Sequence, residues 1–201
     1  MDEQSVDDAG STVSYAYRPS VTGPMRIFSL SDDGIDWAAG VRSGHVPYSH
    51  VRLVRMSYRP TSLQSQRFVT ELWAAGEAGQ TTKLKIASCS WKSMVEQERR
   101  DQSYSAFLGE LHRRLSATKV AARFEHGGHP LVYWPSLAIF LVVALGLAAL
   151  VVETLRGDAA SGAAIVGAFL ALYLWQGGNF LRRNRPGRCR PDALPRAVMP
   201  P

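Results

Sequence analysis

The chain has 201 residues and carries 23 Lys and Arg against 17 Asp and Glu, a formal net charge of +6. This length excludes a large multidomain enzyme and allows one domain with an appendage. The mean hydropathy of −0.10 is that of an ordinary soluble protein, yet two long stretches near the carboxy terminus contain no charged side chain. That uneven distribution of charge indicates a membrane protein.

The amino-terminal part begins as a polar segment and then changes to strand patterns. Residues 1–22 are rich in Ser, Asp, Thr and Gly, so we expect this segment to be disordered. Short strands are predicted at Met25–Leu30 and Ile35–Ala39, separated by an Asp-Asp-Gly turn. A longer strand is predicted at His45–Arg59, where the alternation of apolar residues changes phase midway. That change predicts a bulge or a bend in the strand.

Two further strands and one helix complete the predicted soluble part. The strands are expected at 67–75 and 81–91, joined by a hairpin turn. Ser93 and Glu96 have the spacing of a capping box, which predicts that a helix begins there. Apolar residues then recur at helical spacing, at Tyr104, Phe107, Leu108, Leu111 and Leu115. Their apolar stripe needs the sheet as its partner.

The order of these elements, together with the stretch DDGIDWAAGVRSGHVPYSHVRLVR, resembles the bacterial pleckstrin-homology-like domains found beside membrane spans. The resemblance covers Met25 to about Lys119 and implies an α+β domain at 23–119. Its fold would be a small antiparallel sheet or partly closed barrel capped by one carboxy-terminal helix. Such domains bind phospholipid headgroups or peptides, or serve as scaffolds.

In lipid-binding relatives, the loop between the first two strands is basic. We expect that loop to hold Asp32 and Asp33 in this sequence. The two carboxylates would repel a phosphate group. The sequence therefore disfavours recognition of a phosphoinositide by that loop.

A helical hairpin follows a short linker, predicted at 120–130. Residues 131–152 carry no formal charge and, at a rise of about 1.5 Å per residue, are long enough to cross a bilayer as one helix. Residues 162–181 are just long enough to cross again. We therefore predict a transmembrane hairpin over 131–181, in which small residues let the two helices approach closely. The expected packing residues are Ala144, Ala148, Ala163, Gly167 and Ala171.

The chain ends in a basic, proline-rich tail at 182–201. The arginines that directly follow the second span are Arg182, Arg183, Arg185, Arg188 and Arg190. Because positive charge marks the cytoplasmic side of a span, we expect both termini and the soluble domain in the cytoplasm. We expect these arginines to fix the topology and to contact anionic headgroups of the inner membrane. The excess of Arg over Lys favours a GC-rich bacterial genome.

Other chemistry has little support in the sequence. We predict no cofactor, no nucleic-acid partner and no metal, although His126 and His129 could offer two imidazoles. A thiol nucleophile at Cys89 with His112 as its base is possible in principle, but both lie in patterns typical of packed residues.

Three functions stay open at this point. The favoured one is a membrane-anchored, non-enzymatic binding or scaffold protein, whose partners are the phospholipid bilayer and its headgroups. The second is an accessory subunit of a larger membrane protein complex. The third is an enzyme that uses Cys89 or the histidines.

Overall fold

The computed structural model describes residues 13–60, 66–76, 80–93, 96–118, 121–157, 159–192 and 194–200. In these residues the fold is α+β, with antiparallel and mixed sheets and three helices. Part of the predicted turn at 76–79 and the first dozen residues lie outside the described ranges.

The first sheet is an antiparallel meander of four strands in the order β1-β2-β3-β4. Its strands are β1 (Val13–Tyr17), β2 (Arg26–Leu30), β3 (Gly34–Ala39) and β4 (Arg42–Pro47). The prediction of disorder over 1–22 is wrong for β1, because alternate tyrosines of this strand are buried in the core. The β3–β4 turn contains Gly40 at φ 63°, a conformation that favours glycine.

The second sheet contains β5 (Val51–Tyr58), β6 (Phe68–Ala75) and β7 (Thr81–Ala87), paired as an antiparallel meander. The prediction of one long strand at His45–Arg59 is wrong, because a 3-10 turn at Tyr48–His50 separates β4 of the first sheet from β5 of the second. The predicted irregularity lies in β5, where the register shifts between Val51 and Leu53. Beyond this shift, alternate residues of β5 face the core: Val54, Met56 and Tyr58. The shift bends the strand and helps the two sheets to enclose one core.

A small hairpin of β8 (Cys89–Trp91) and β9 (Gln97–Arg99) precedes α1 (Asp101–Ala117). The capping-box prediction is wrong, because the backbone N–H of Ser93 donates to the carbonyl oxygen of Glu96 at the end of this hairpin. The predicted apolar stripe of the helix is confirmed. All five of its residues, Tyr104, Phe107, Leu108, Leu111 and Leu115, are buried.

The segment predicted as a linker contains a strand. Residues 123–126 form β10 (Arg123–His126), which pairs in parallel with β5 so that Phe124 lies opposite Val54. Phe124 is 7% exposed and packs in the core. The sheet therefore continues to His126, and only residues 127–129 separate it from the first helix of the hairpin.

Two long apolar helices follow, α2 (Pro130–Arg156) and α3 (Ala160–Arg183). Both are longer than the predicted spans at 131–152 and 162–181, and both are long and apolar enough to cross a membrane. In their most apolar windows, 0% and 6% of the residues are buried inside the structure. A core helix of a soluble protein would be mostly buried, so these two helices are not the interior of a globule.

The tail returns to the soluble domain after the second helix. Its first residues form β11 (Gly187–Arg188), which pairs with β10, and the five-stranded second sheet has the order β11-β10-β5-β6-β7. Val198 is fully buried in the main core, and Cys189, Leu194 and Met199 pack against it. The prediction of a separate basic tail is therefore wrong, because its apolar residues complete the core of the domain.

The role of the tail in the core can be tested with two valine substitutions. Val198→Ala should lower the free energy of unfolding by about 2 kcal/mol, because it removes buried methyl groups and leaves a cavity. Val41→Ala, in the exposed β3–β4 turn, should change it by less than about 0.5 kcal/mol. Denaturant unfolding of the full chain in detergent micelles measures both. Equal effects of the two substitutions would show that the tail is not part of the core.

Candidate functional site

The helical hairpin leaves and rejoins the domain through two paired strands. Strand β10 precedes α2, strand β11 follows α3, and the two pair so that His126 lies opposite Gly187. The sheet therefore holds both ends of the hairpin at one place. We call the contacts between these strands, β5 and the ends of the helices the hairpin root.

Asn184 is the central polar residue of the root. Its side-chain oxygen Oδ1 accepts a hydrogen bond from the backbone N–H of Tyr58 at 3.2 Å. Its side-chain nitrogen Nδ2 donates a hydrogen bond to the carbonyl oxygen of Tyr58 at 2.8 Å. The backbone carbonyl oxygen of Asn184 accepts a hydrogen bond from the N–H of Gly128 at 2.8 Å. Asn184 is only 5% exposed. Through its side chain and its backbone, this one residue joins the end of α3 to the end of β5 and to the segment before α2.

Two further contacts fix the position of β10 beside β5. The N–H of Gly127 donates to the carbonyl oxygen of Met56 at 2.8 Å. A Cβ atom at Gly127, whose φ is 85°, would collide with the carbonyl oxygen of Arg185, so only glycine fits there. On the outer face, the guanidinium of Arg55 lies 2.6 Å from the carboxylate of Glu125. The root is therefore joined by backbone, amide and ion-pair contacts.

The predicted arginines divide into two groups at this root. Arg182, Arg183 and Arg185 flank Asn184, and the guanidinium of Arg183 lies 4.8 Å from the ring centre of Tyr58. Arg188 and Arg190 lie on and beyond β11, which runs back along β10 and away from the end of the hairpin. We call Arg182, Arg183 and Arg185 the basic collar. The guanidinium of Arg59, which follows Tyr58, lies 3.1 Å from the carboxylate of Glu71 on β6.

The small residues predicted to pack the two helices lie in different environments. Ala163 is buried, Ala171 is exposed, and the other three, Ala144, Ala148 and Gly167, are half-buried. A Cβ atom at Gly167 would meet no atom within 4 Å. The tight contact of the hairpin lies at another glycine.

That contact joins Gly177 of α3 to Phe140 of α2. A Cβ atom at Gly177 would collide with the ring of Phe140. The ring of Tyr173 also stacks on Phe140, with 4.9 Å between the ring centres. A large aromatic side chain of one helix therefore fills the space that glycine leaves on the other.

A second candidate site is a groove between the edge strands β4 and β7. One section of about 260 Å³ is bordered by four cationic side chains and by Trp37. The cations are Arg26, Arg42, Lys83 and Lys85. An adjoining section of about 460 Å³ continues past His45 and His50 and shares Thr82 with the first. We call the two sections the edge groove.

The cations beside this groove are only partly neutralised. Lys83 lies 3.0 Å from the buried carboxylate of Glu71, whereas Lys85 has no carboxylate within 4 Å among the described residues. Burial, and then the charges of Arg67 and Arg59, lower the pKa of Lys85. The Nε atom of Arg67 is buried without a hydrogen-bond partner in the described ranges. This part of the surface therefore attracts anions.

The acidic pair Asp32 and Asp33 lies elsewhere than the sequence suggested. Because β1 is the first strand, these residues connect β2 to β3. The loop between the first two strands is 18–25, which contains Arg18 and no acidic residue. The electrostatic objection to an anionic ligand at that loop therefore does not hold.

The thiol and imidazole considered for catalysis have separate environments. Burial raises the pKa of the Cys89 thiol, which donates to the carbonyl oxygen of Gln66 at 3.3 Å. The Nδ1 atom of His112 bonds to the carbonyl oxygen of Pro191 at 3.1 Å, and its ring packs against Phe124. His112 therefore holds the returning tail against α1.

His126 and His129 also have structural roles. Strand β10 contains His126, which lies against Gly187 of β11, and burial lowers its pKa. The ring of His129 accepts the backbone N–H of Leu131 at 3.3 Å and caps α2. Within the described ranges, no group of three or more His, Cys, Asp or Glu side chains could hold a metal ion.

Comparisons of the chain with protein-family models, with curated proteins and with solved structures find no match. The functional conclusion therefore rests on the geometry of the hairpin root and the edge groove.

The buried imidazole predicts sensitivity to acid. Burial lowers the pKa of His112 from 6.5 to about 4. Between these values the unfolded chain binds a proton that the folded protein does not, so stability is full above pH 6.5 and falls toward pH 4 by about 3 kcal/mol. His112→Gln should remove this part of the loss in pH-dependent unfolding of the full chain. The exposed His50→Gln should not, and equal acid sensitivity in all three proteins would contradict the assignment.

Proposed function

We propose that this chain is a two-pass inner-membrane protein that presents a pleckstrin-homology-like binding domain at the cytoplasmic surface of the bilayer. The observation that carries the proposal is the pairing of β10 with β11, which holds both ends of the apolar hairpin in the sheet of the domain. A domain attached in this way stays beside the membrane. It acts by binding, with no catalytic step.

The architecture of the domain supports the family part of the proposal. Four antiparallel strands, then three more and the small β8–β9 hairpin, precede α1, whose apolar face closes the core. This order is compatible with the small, partly closed antiparallel sheet and closing helix that the resemblance implies. Strands β10 and β11 are additions to it that connect the domain to the hairpin.

The charges beside the hairpin support its orientation. The last turn of α2 and the connection to α3 carry Arg156 against Glu153 and Asp158, whereas the other end of the hairpin carries the basic collar. Arginine accumulates on the cytoplasmic side of membrane spans. The domain and the collar would then face the cytoplasm together.

The basic collar gives the domain a direct partner in the bilayer. Arg182 and Arg185 are exposed at the end of α3, where the hairpin passes from hydrocarbon to water. Each arginine near an anionic leaflet contributes about 1 kcal/mol of attraction. Because the hairpin already confines the domain, even weak further contacts with lipids or proteins at the surface are sufficient for binding.

A second candidate function is that of an accessory subunit in a membrane complex. Several large side chains of the hairpin point away from the other helix, among them Ile139, Phe169 and Trp175, which are 64%, 62% and 73% exposed. Lipid or foreign helices could cover these side chains. Stoichiometric co-purification with other membrane proteins in mild detergent would favour the subunit role, and recovery of the chain alone would favour the first proposal.

The orientation can be tested with single cysteines in a Cys189→Ala background, where Cys89 is buried. A membrane-impermeant maleimide added to intact spheroplasts should label Arg156→Cys at the end of α2. It should label Arg188→Cys only after the membrane is permeabilised. The reverse pattern would invert the proposed topology.

The collar can be tested by the lipids that the purified full chain retains. Arg182→Gln with Arg185→Gln should weaken retention of phosphatidylglycerol by about 2 kcal/mol, roughly 30-fold, without changing retention of phosphatidylcholine. Native mass spectrometry from micelles of mixed lipid measures both.

The matched control removes the same charge elsewhere, through Arg52→Gln with Arg113→Gln, which are both exposed and outside the basic collar. This control should retain phosphatidylglycerol like the unchanged chain. Equal losses in both double variants would show that only net charge matters and that the collar is not a lipid site.

A further inference from the structure

The edge strands β4 and β7 of the two sheets do not pair with each other. In the described residues, β4 is the last strand of the first sheet and β7 is the last strand of the second. Both border the edge groove, and neither pairs with the other. An unpaired edge presents backbone donors and acceptors to any other extended chain.

Two tyrosines of β1 cover part of the β7 edge. The hydroxyl of Tyr15 donates a hydrogen bond to the carbonyl oxygen of Ala87 at 2.6 Å. The hydroxyl of Tyr17 donates to the carbonyl oxygen of Lys85. These bonds show that Lys85 and Ala87 direct their carbonyl groups away from β6. Because backbone direction alternates along a strand, Thr81 and Lys83 also direct their N–H and carbonyl groups to the free edge.

No described residue hydrogen-bonds to these edge groups of Thr81 and Lys83. Lys83 borders the groove together with Arg42 and Lys85. Among the described residues that border the two sections, none is Asp or Glu, although His45 lies 2.8 Å from the carboxylate of Asp36. Two cations without a described carboxylate within 4 Å, Arg42 and Lys85, therefore lie beside the open stretch of backbone.

We propose that the free edge of β7 at Thr81–Lys83 binds an extended, acidic segment of a partner protein as an added strand. Backbone pairing with Thr81 and Lys83 provides affinity, as in other cases of strand addition. The basic side chains select carboxylates. A lipid headgroup could use the cations but has no amide groups to pair with the edge, so the backbone geometry favours a peptide.

The probe is a capped heptapeptide of alternating glutamate and valine. We expect it to bind the full chain in nanodiscs of phosphatidylcholine, measured by titration calorimetry. Hydrogen exchange should become slower at the amides of residues 81 and 83. A lysine-valine peptide should not bind. Two further glutamate-valine peptides are N-methylated, one on the odd-numbered amides and one on the even-numbered amides. One of the two should bind at least tenfold more weakly than the unmethylated peptide, because only one set of amides faces β7.

Variants separate the charge from the backbone contribution. Arg42→Glu with Lys85→Gln should weaken the peptide at least tenfold, whereas the matched Arg52→Glu with Lys92→Gln, on exposed residues outside the groove, should not. Thr81→Pro removes one edge N–H at the first residue of β7, a position where proline is tolerated, and should also weaken binding. Far-ultraviolet circular dichroism checks that each variant folds.

Three results would overturn the proposal. The first is unchanged peptide affinity in both Thr81→Pro and the groove double variant. The second is equal binding of the two methylated peptides and the parent. The third is protection from exchange confined to residues outside β7. If the peptide does not bind and the affinity for inositol phosphates is unchanged in Thr81→Pro, the groove is instead a site for a phosphate ligand.

Discussion

The pairing of β10 with β11 is the contact on which the rest of the structure depends. Strand β10 precedes the two apolar helices and β11 follows them. Because the two strands pair with each other, both ends of the helical hairpin are held in the sheet. Asn184 extends the closure by bonding to both backbone groups of Tyr58. If the hairpin were joined by a flexible linker, the domain could turn freely above the bilayer. Here the sheet and the hairpin are joined by paired strands, so in the proposed function the position of the helices sets which surface of the domain meets the headgroups.

The two candidate sites lie at opposite edges of the second sheet. The root uses β11, β10 and the end of β5, whereas the edge groove borders β7. Four spacings of about 4.8 Å separate the first and last strands, a width of about 19 Å. The proposed contact of the collar with lipid and the proposed occupation of the groove by a partner therefore involve different residues. In the proposed arrangement, one edge of the sheet contacts the membrane while the other edge stays open.

Much of the domain could be predicted because its elements show strong periodicity. The alternation in β5, β6 and β7 and the helical stripe of α1 correspond to burial against one core. The wrong predictions lie where one local sequence pattern is compatible with two different structures. Ser93 and Glu96 have capping-box spacing, but in the structure they lie in a hairpin that leads to a helix beginning at Asp101. Strand β1 contains only five residues, too few for its alternating tyrosines to stand out in a polar segment.

By itself, the sequence determined that the chain has two apolar helices of membrane-spanning length and that arginine accumulates at one end of them. Those properties depend on composition within a single segment, so no distant residue can change them. Only the tertiary structure decided that the supposed linker and tail are strands of the domain's own sheet. Pairing between residues that lie some sixty positions apart, such as Glu125 and Arg188, depends on how the intervening hairpin folds back. Neither short strand carries a periodic pattern long enough to reveal that pairing.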